Sequence, residues 1–117
     1  MKTLFLTIAS ILFINNTIAQ EKAKKEIKTI SIKVEGNCGE CKKRIENAAY
    51  IKGVKNSSWD EKTKNLTLVY RADKVTEEQI HQAIANAGHD TEKSKSTKET
   101  YQNLPDCCKY KDQKCNK

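Results

Sequence analysis

The chain has 117 residues, 32% of them charged and 6% aromatic, with a formal net charge of +7 and a single proline. That length carries one small domain with extensions. Lys and Arg are interspersed with Glu and Asp and form no dense stripe, so the basic excess reads as a solvated surface and nucleic acid is set aside as a partner.

Residues 1–19 read as a secretory signal peptide. Lys2 supplies the positive start, residues 4–14 are apolar apart from Thr7 and Ser10, and Thr17-Ile18-Ala19 places small residues before a cut ahead of Gln20. The alternative is a retained anchor, but the apolar run falls short of the ~20 residues a spanning helix needs. No Cys lies near the cut, which disfavours a lipoprotein. The expected location is therefore exported, periplasmic or secreted. All five cysteines, Cys38, Cys41, Cys107, Cys108 and Cys115, lie beyond the cut. An odd number leaves at least one thiol unpaired within a monomer. Oxidising surroundings make a disulfide framework the default. Against that default, two of the cysteines sit at one end of the sequence and three at the other.

Residues 20–26 are a polar, flexible lead-in. In residues 27–35, Ile30, Ile32 and Val34 alternate with polar residues, the pattern of a half-buried strand, and Gly36-Asn37 ends it. From 39 to 52 the period turns helical through Cys41, Ile45, Ala48, Ala49 and Lys52, with Gly53 as the stop. Residues 54–59 form a weaker strand, 60–65 a polar turn, and 66–71 a clear strand. Thr76 is the expected N-cap of a second helix, with Ile80, Ala83, Ile84 and Ala87 on one face and Gly88 at its end. Residues 90–95 make a poor final edge strand. The order is that of a ferredoxin-like βαββαβ sandwich, an α+β fold with an antiparallel sheet and two helices on one face. The domain spans 27–95, and 96–117 form a Cys-containing tail. His81 is expected at the surface beside the buried face of the second helix, and Trp59 and Tyr70 are expected to pack on the sheet.

The chemistry concentrates in Cys38-Gly39-Glu40-Cys41. The first Cys lies in the loop and the second in the first helical turn, so their sulfurs converge on about the span of a linear S–metal–S unit. Thiolates are soft ligands that select Cu(I), Zn or Fe–S clusters over hard cations. Two thiolates suit Cu(I), whereas Zn²⁺ asks for four ligands and no second CxxC follows in this domain. The helix N-terminus and the basic Lys42, Lys43 and Arg44 favour the thiolate form and offset the charge of a bis-thiolate centre; for at least one of the three, an ordinary solvated helix face is the simpler account.

These residues, with Ile45, Ala48-Ala49, Ile51-Lys52-Gly53-Val54, the 66–70 strand, Ile80, Ile84 and Ala87-Gly88-His89-Asp90, resemble the heavy-metal-associated domain. That domain occurs in copper chaperones, in the N-terminal domains of copper-exporting P-type ATPases and in the periplasmic mercury-binding protein. The resemblance covers roughly residues 26–95. It implies a metal-binding, non-enzymatic role, with a metal-transporting membrane protein or another metal-binding domain as partner. Two departures stand out. The family's Gly-Met-x-Cys is absent, with Gly36 only two residues before Cys38 and no Met. His89 occupies the position where the family often has Tyr or Phe. The resemblance brings the His89 loop near the cysteines, so His89 is either a third or assisting ligand or a loop histidine filling the aromatic slot.

The tail leaves several readings open. Cys107, Cys108 and Cys115 form a second soft-metal site, or a capping arm that adds thiolates to the first. Alternatively, Cys115 bridges to Cys107 or Cys108, or a disulfide pins the tail to the domain; some disulfide involvement is favoured. Adjacent cysteines rarely bridge each other.

The function these features support is capture of Cu(I) and its transfer or buffering through Cys38 and Cys41. Hg²⁺ is the nearest rival ion, and Zn²⁺ a further candidate. From another class come a thiol–disulfide oxidoreductase and an inert structural envelope module. The first of these is disfavoured because Asn37 and not Trp precedes Cys38, and because the only proline is Pro105. A homodimer sharing one metal ion across facing CxxC loops is a further expectation. No Gly-rich phosphate loop, nucleophile elbow or His-Glu-x-x-His is present.

Overall fold

Alternation along three segments builds one antiparallel sheet. In the computed structural model, which describes residues 26–112, these are β1 (Ile27–Lys33), β2 (Val54–Trp59) and β3 (Asn65–Arg71), arranged β1-β3-β2. The signal peptide, most of the lead-in and Cys115 lie outside the described residues. Register pairs Ile30 with Leu68 and Ile32 with Leu66 on one side of β3, and Trp59 with Leu66 on the other. Because side chains alternate between faces, this register sends Ile32, Leu66, Leu68 and Tyr70 to a single buried side and leaves Lys33 and Thr67 exposed.

Two helices cover that side. α1 (Gly39–Ala49) buries Cys41, Ile45 and Ala49, and α2 (Glu77–Asn86) buries Ile80, His81, Ile84 and Ala85. Each fully buried Ile contributes about 1.5–3 kcal/mol of transfer free energy. α1 stops at Ala49, three residues before the Lys52 expected from the periodicity, and the Tyr50 N–H closes on the Asn47 carbonyl. The chain turns early because Val54 must reach its place opposite Tyr70. Gly53 serves that turn at φ +100, where a Cβ would strike Lys74 and Val75.

α2 begins as its sequence suggests. Thr76 Oγ1 accepts the Gln79 N–H, and the Gln79 side chain accepts the Thr76 N–H, a reciprocal capping box. Thr76→Ala removes one half of it and is expected to cost about 1 kcal/mol, read as a lowered denaturant midpoint with unchanged slope.

The last strand of the βαββαβ order shrinks to a single bridge, Val34 to Thr91. Residues after Thr91 bend away because the Thr91 hydroxyl accepts the amides of Lys93 and Ser94, a tight local turn in place of a ladder. His81, expected at the surface, is fully buried, with Nδ1 2.6 Å from the Thr91 hydroxyl. The segment that doubles back after α2 covers it.

Among the described residues, the chain beyond 95 packs onto the domain. Thr97 caps α3 (Lys98–Gln102), and a 3₁₀ turn follows at Asp106–Cys108. Tyr101, Leu104 and Cys108 are buried and join the core. Among the described residues no helix is long and apolar enough to cross a membrane.

Candidate metal centre

The CxxC pair is positioned by the way α1 starts. Cys38 is the N-cap, with extended backbone at φ −150 and ψ −175, and Cys41 is the third helical residue. These are the two positions whose side chains meet across the first turn in a capping box; here both carry thiols. The two sulfurs lie 4.0 Å apart, about twice the length of a disulfide bond, so they are not joined to each other. Cys41 is fully buried and Cys38 half-buried.

Gly36 lets the loop approach. A Cβ there would lie 3.0 Å from Ile45, 3.1 Å from the Cys41 Cβ and 3.1 Å from the Trp59 ring. Trp59 lies beneath the loop and donates its indole N–H to the Val34 carbonyl at 3.1 Å. Lys64 Nζ donates to the Gly36 carbonyl at 2.6 Å and sits 5.4 Å from the Trp59 ring centre. An indole and a lysine thus brace a loop that has no methionine.

The tail brings a third sulfur. Cys38, Cys41 and Cys108 place their Sγ atoms within 4.8 Å of one another. The Cys38 thiol also donates to the Cys107 carbonyl at 3.6 Å. Cys108 is fully buried, and burial together with the neighbouring Cys41 thiol raises its pKa well above the usual thiol range. Cys107 is exposed, its sulfur 3.9 Å from that of Cys108, so these adjacent residues are not bridged to each other.

His89 stands outside the sulfur cluster. Its ring is fully buried, Nδ1 lies 2.8 Å from the Glu35 carbonyl, and the ring stacks on Tyr110 with centroids 5.7 Å apart. Burial lowers its pKa more than the Glu35 contact raises it, so it is neutral near pH 7 and donates from Nδ1 to that carbonyl. It holds the tail and the β1–α1 loop together.

Lys42, Lys43 and Arg44 divide into different roles. Lys42 pairs with Glu46 at 2.6 Å and donates to the Trp59 carbonyl at 3.0 Å. Arg44 reaches the Ala87 carbonyl at the end of α2 at 3.3 Å. Lys43 alone of the three is exposed. Two of these cations therefore tie α1 to its neighbours, and the two thiols stand at the N-terminal, positive end of α1.

Sequence reasoning did not single out Tyr110, Tyr101 or Leu104. Tyr110 is the hub of the tail. Its hydroxyl donates to the Gly88 carbonyl and accepts the Asp90 N–H, both at 3.0 Å, and burial pushes its pKa up to about 12. Tyr101 meets it edge-on at 5.2 Å. Lys111 pairs with Asp90 at 3.3 Å. Burial works against the Asp90 charge, yet the Ser96 hydroxyl and amide and Lys111 hold the carboxyl below its usual value. The available signal was two aromatics and a leucine in an otherwise polar tail.

Comparison with known proteins fits this arrangement. The fold is similar to that of a CopZ metallochaperone, at 30% identity over 55% of this chain and 98% of that one, with a TM-score of 0.53. It is similar to a copper binding domain from HMA7, a P-type ATPase, at 29% identity over 55% of this chain and 89% of that one, TM-score 0.53. At 20% identity, in fold alone, it is similar to oxidised MerP from Ralstonia metallidurans CH34, over 56% of this chain and 94% of that one, TM-score 0.54. No curated protein matches the sequence. The heavy-metal-associated domain profile matches residues 31–90, which run from the middle of β1 to the bend after α2 and enclose Cys38 and Cys41. The chain belongs to the heavy-metal-associated domain family.

Proposed function

We propose that this chain is an exported carrier that captures Cu(I) between Cys38 and Cys41 and transfers or buffers it. The observation that carries the reading is the pair of sulfurs 4.0 Å apart on the N-terminal turn of α1, one buried and one half-buried. Soft thiolates select a soft ion, and the helix terminus stabilises the negative charge they bring. Transfer needs no catalysis. An incoming thiolate from the partner adds to the ion, and one of the original sulfurs then leaves. The half-buried Cys38 is the natural one to exchange first, because an incoming ligand reaches it without disturbing the core.

The partner under this reading is a metal-transporting membrane protein or another metal-binding domain. CopZ, described as a metallochaperone, and the copper binding domain of a P-type ATPase are both similar to this chain, which supports that class. The exposed Lys43 beside the site suits an acidic docking face, which would speed encounter more than it would tighten the complex.

The test is a Cu(I) titration of the reduced mature protein against a chromophoric chelator, alongside Cys38→Ser/Cys41→Ser. The wild type is expected to bind one ion tightly. The double variant is expected to lose more than about a thousandfold in affinity, roughly 4 kcal/mol. Undiminished binding by the double variant would overturn the assignment of these ligands. Binding of Hg²⁺ but not Cu(I) would keep the site and replace the ion.

A further inference from the structure

The cysteine pair accounts for only part of the cluster at the start of α1. Cys108 brings a third sulfur to within 4.8 Å of the other two, and it comes from a 3₁₀ turn more than sixty residues further along the chain. We propose that Cys108, its thiol proton passing to solvent as the ion binds, completes a three-coordinate thiolate site with Cys38 and Cys41, so that the C-terminal segment is part of the metal centre. The inference rests on the reading of Cys38 and Cys41 as ligands and extends it to the tail.

Distance supports three-coordination. With a metal–sulfur bond of about 2.3 Å, two sulfurs facing each other across a linear centre stand about 4.6 Å apart, whereas in a trigonal plane they stand about 4.0 Å apart. Cys38 and Cys41 are 4.0 Å apart, the trigonal value, and the Cys108 sulfur, within 4.8 Å of both, needs at most a 4.8 − 4.0 = 0.8 Å change in either separation to reach the same spacing. A soft ion with an affinity for thiolates accepts the third sulfur where one is already in reach.

The third sulfur is also held in place before any ion arrives. Leu104 packs against Gly88, Tyr110 is bonded to Gly88 and Asp90 and stacks on His89, and Lys111 pairs with Asp90. These contacts flank Cys108 on both sides in sequence. The Cys107 carbonyl meets the Cys38 thiol directly. Preorganisation of this kind lowers the entropic cost of adding a ligand. The functional consequence is a carrier that releases its ion slowly while the tail is docked. A partner thiolate would take the place of Cys108 as the tail lifts, restoring three-coordination, and of the remaining pair the half-buried Cys38 would then exchange before the buried Cys41.

Copper K-edge X-ray absorption on the Cu(I)-loaded mature protein, prepared without exogenous thiol, reads the number of sulfurs directly. The expected result is three sulfurs in the wild type and in Cys107→Ser/Cys115→Ser, and two in Cys108→Ala, each checked for folding by circular dichroism. Two sulfurs in the wild type would overturn the tail ligand while leaving the Cys38–Cys41 reading intact. Three sulfurs retained in Cys108→Ala, or two in the folded Cys107→Ser/Cys115→Ser protein, would also overturn it by assigning the third ligand elsewhere. Failure of every form to bind Cu(I) would instead remove the underlying reading and this inference with it. Should Cys108→Ala not fold, the wild type and the Cys107→Ser/Cys115→Ser protein decide between three and two on their own.

Discussion

Trp59→Ala is expected to cost about 3–5 kcal/mol, enough to leave much of a domain this size unfolded at room temperature. The ring is 2% exposed and lies between the sheet and the loop that presents Cys38. Its removal leaves a cavity beneath Gly36, strips a partner from the buried Val34 carbonyl and takes away the ring beside Lys64. The sheet edge and the metal loop therefore fail together. Trp59→Phe separates the contributions in part, because it keeps an aromatic ring in the core while losing the indole N–H and the volume of the second fused ring; its expected cost is about 1–3 kcal/mol. Trp59 is the only tryptophan, so urea unfolding of all three proteins should be followed by far-ultraviolet circular dichroism. An Ala variant within 1 kcal/mol of wild type, on the order of ordinary surface substitutions, would show that the indole is not what braces the loop.

Gly88→Ala is expected to loosen the tail. Gly88 sits at φ +101, where an L side chain is strained, and its new Cβ would lie 2.8 Å from the Thr100 carbonyl and 2.9 Å from Leu104. Backbone strain of this kind costs about 1–3 kcal/mol. The domain can relieve the clash by releasing α3 and the turn that carries Cys108, which adds little exposed surface compared with unfolding the sheet. Spread over that local opening, the strain raises the open population by roughly tenfold to a hundredfold. Peptide-level alkylation of the metal-free, reduced protein reads it as faster labelling of the buried Cys108, with Cys107, exposed already, changing little. Unchanged Cys108 labelling with a lowered global stability would place the strain in the core instead of the tail.

The two substitutions act on the two supports of the same centre. Trp59 holds the loop from the sheet side, and Gly88 admits the tail from the other. Between them lie Cys38 and Cys41, whose positions depend on neither support for their spacing but on both for their surroundings.

What the sequence by itself determined is whatever depends on neighbours within a few positions. The alternation of Ile30, Ile32 and Val34 and of Leu66, Leu68 and Tyr70 specified strands, because a period of two places one face against a core. Thr76 and Gln79 specified the start of α2, because a capping box closes within four residues. Cys38 and Cys41 were legible as a pair, since N-cap and third helical residue meet whatever the rest of the chain does. Tertiary structure alone decided the remainder. His81 is buried because Thr91 returns to cover it, and His89 lies outside the sulfur cluster, with Nδ1 on the Glu35 carbonyl and its ring stacked on Tyr110. Cys108 reaches Cys41 only because Gly88 leaves room for Leu104 and because Tyr110 finds Gly88 and Asp90. No local period records such contacts. They arise when segments distant in the chain compete for the same buried surface, and the outcome depends on packing that exists only once the sheet has formed.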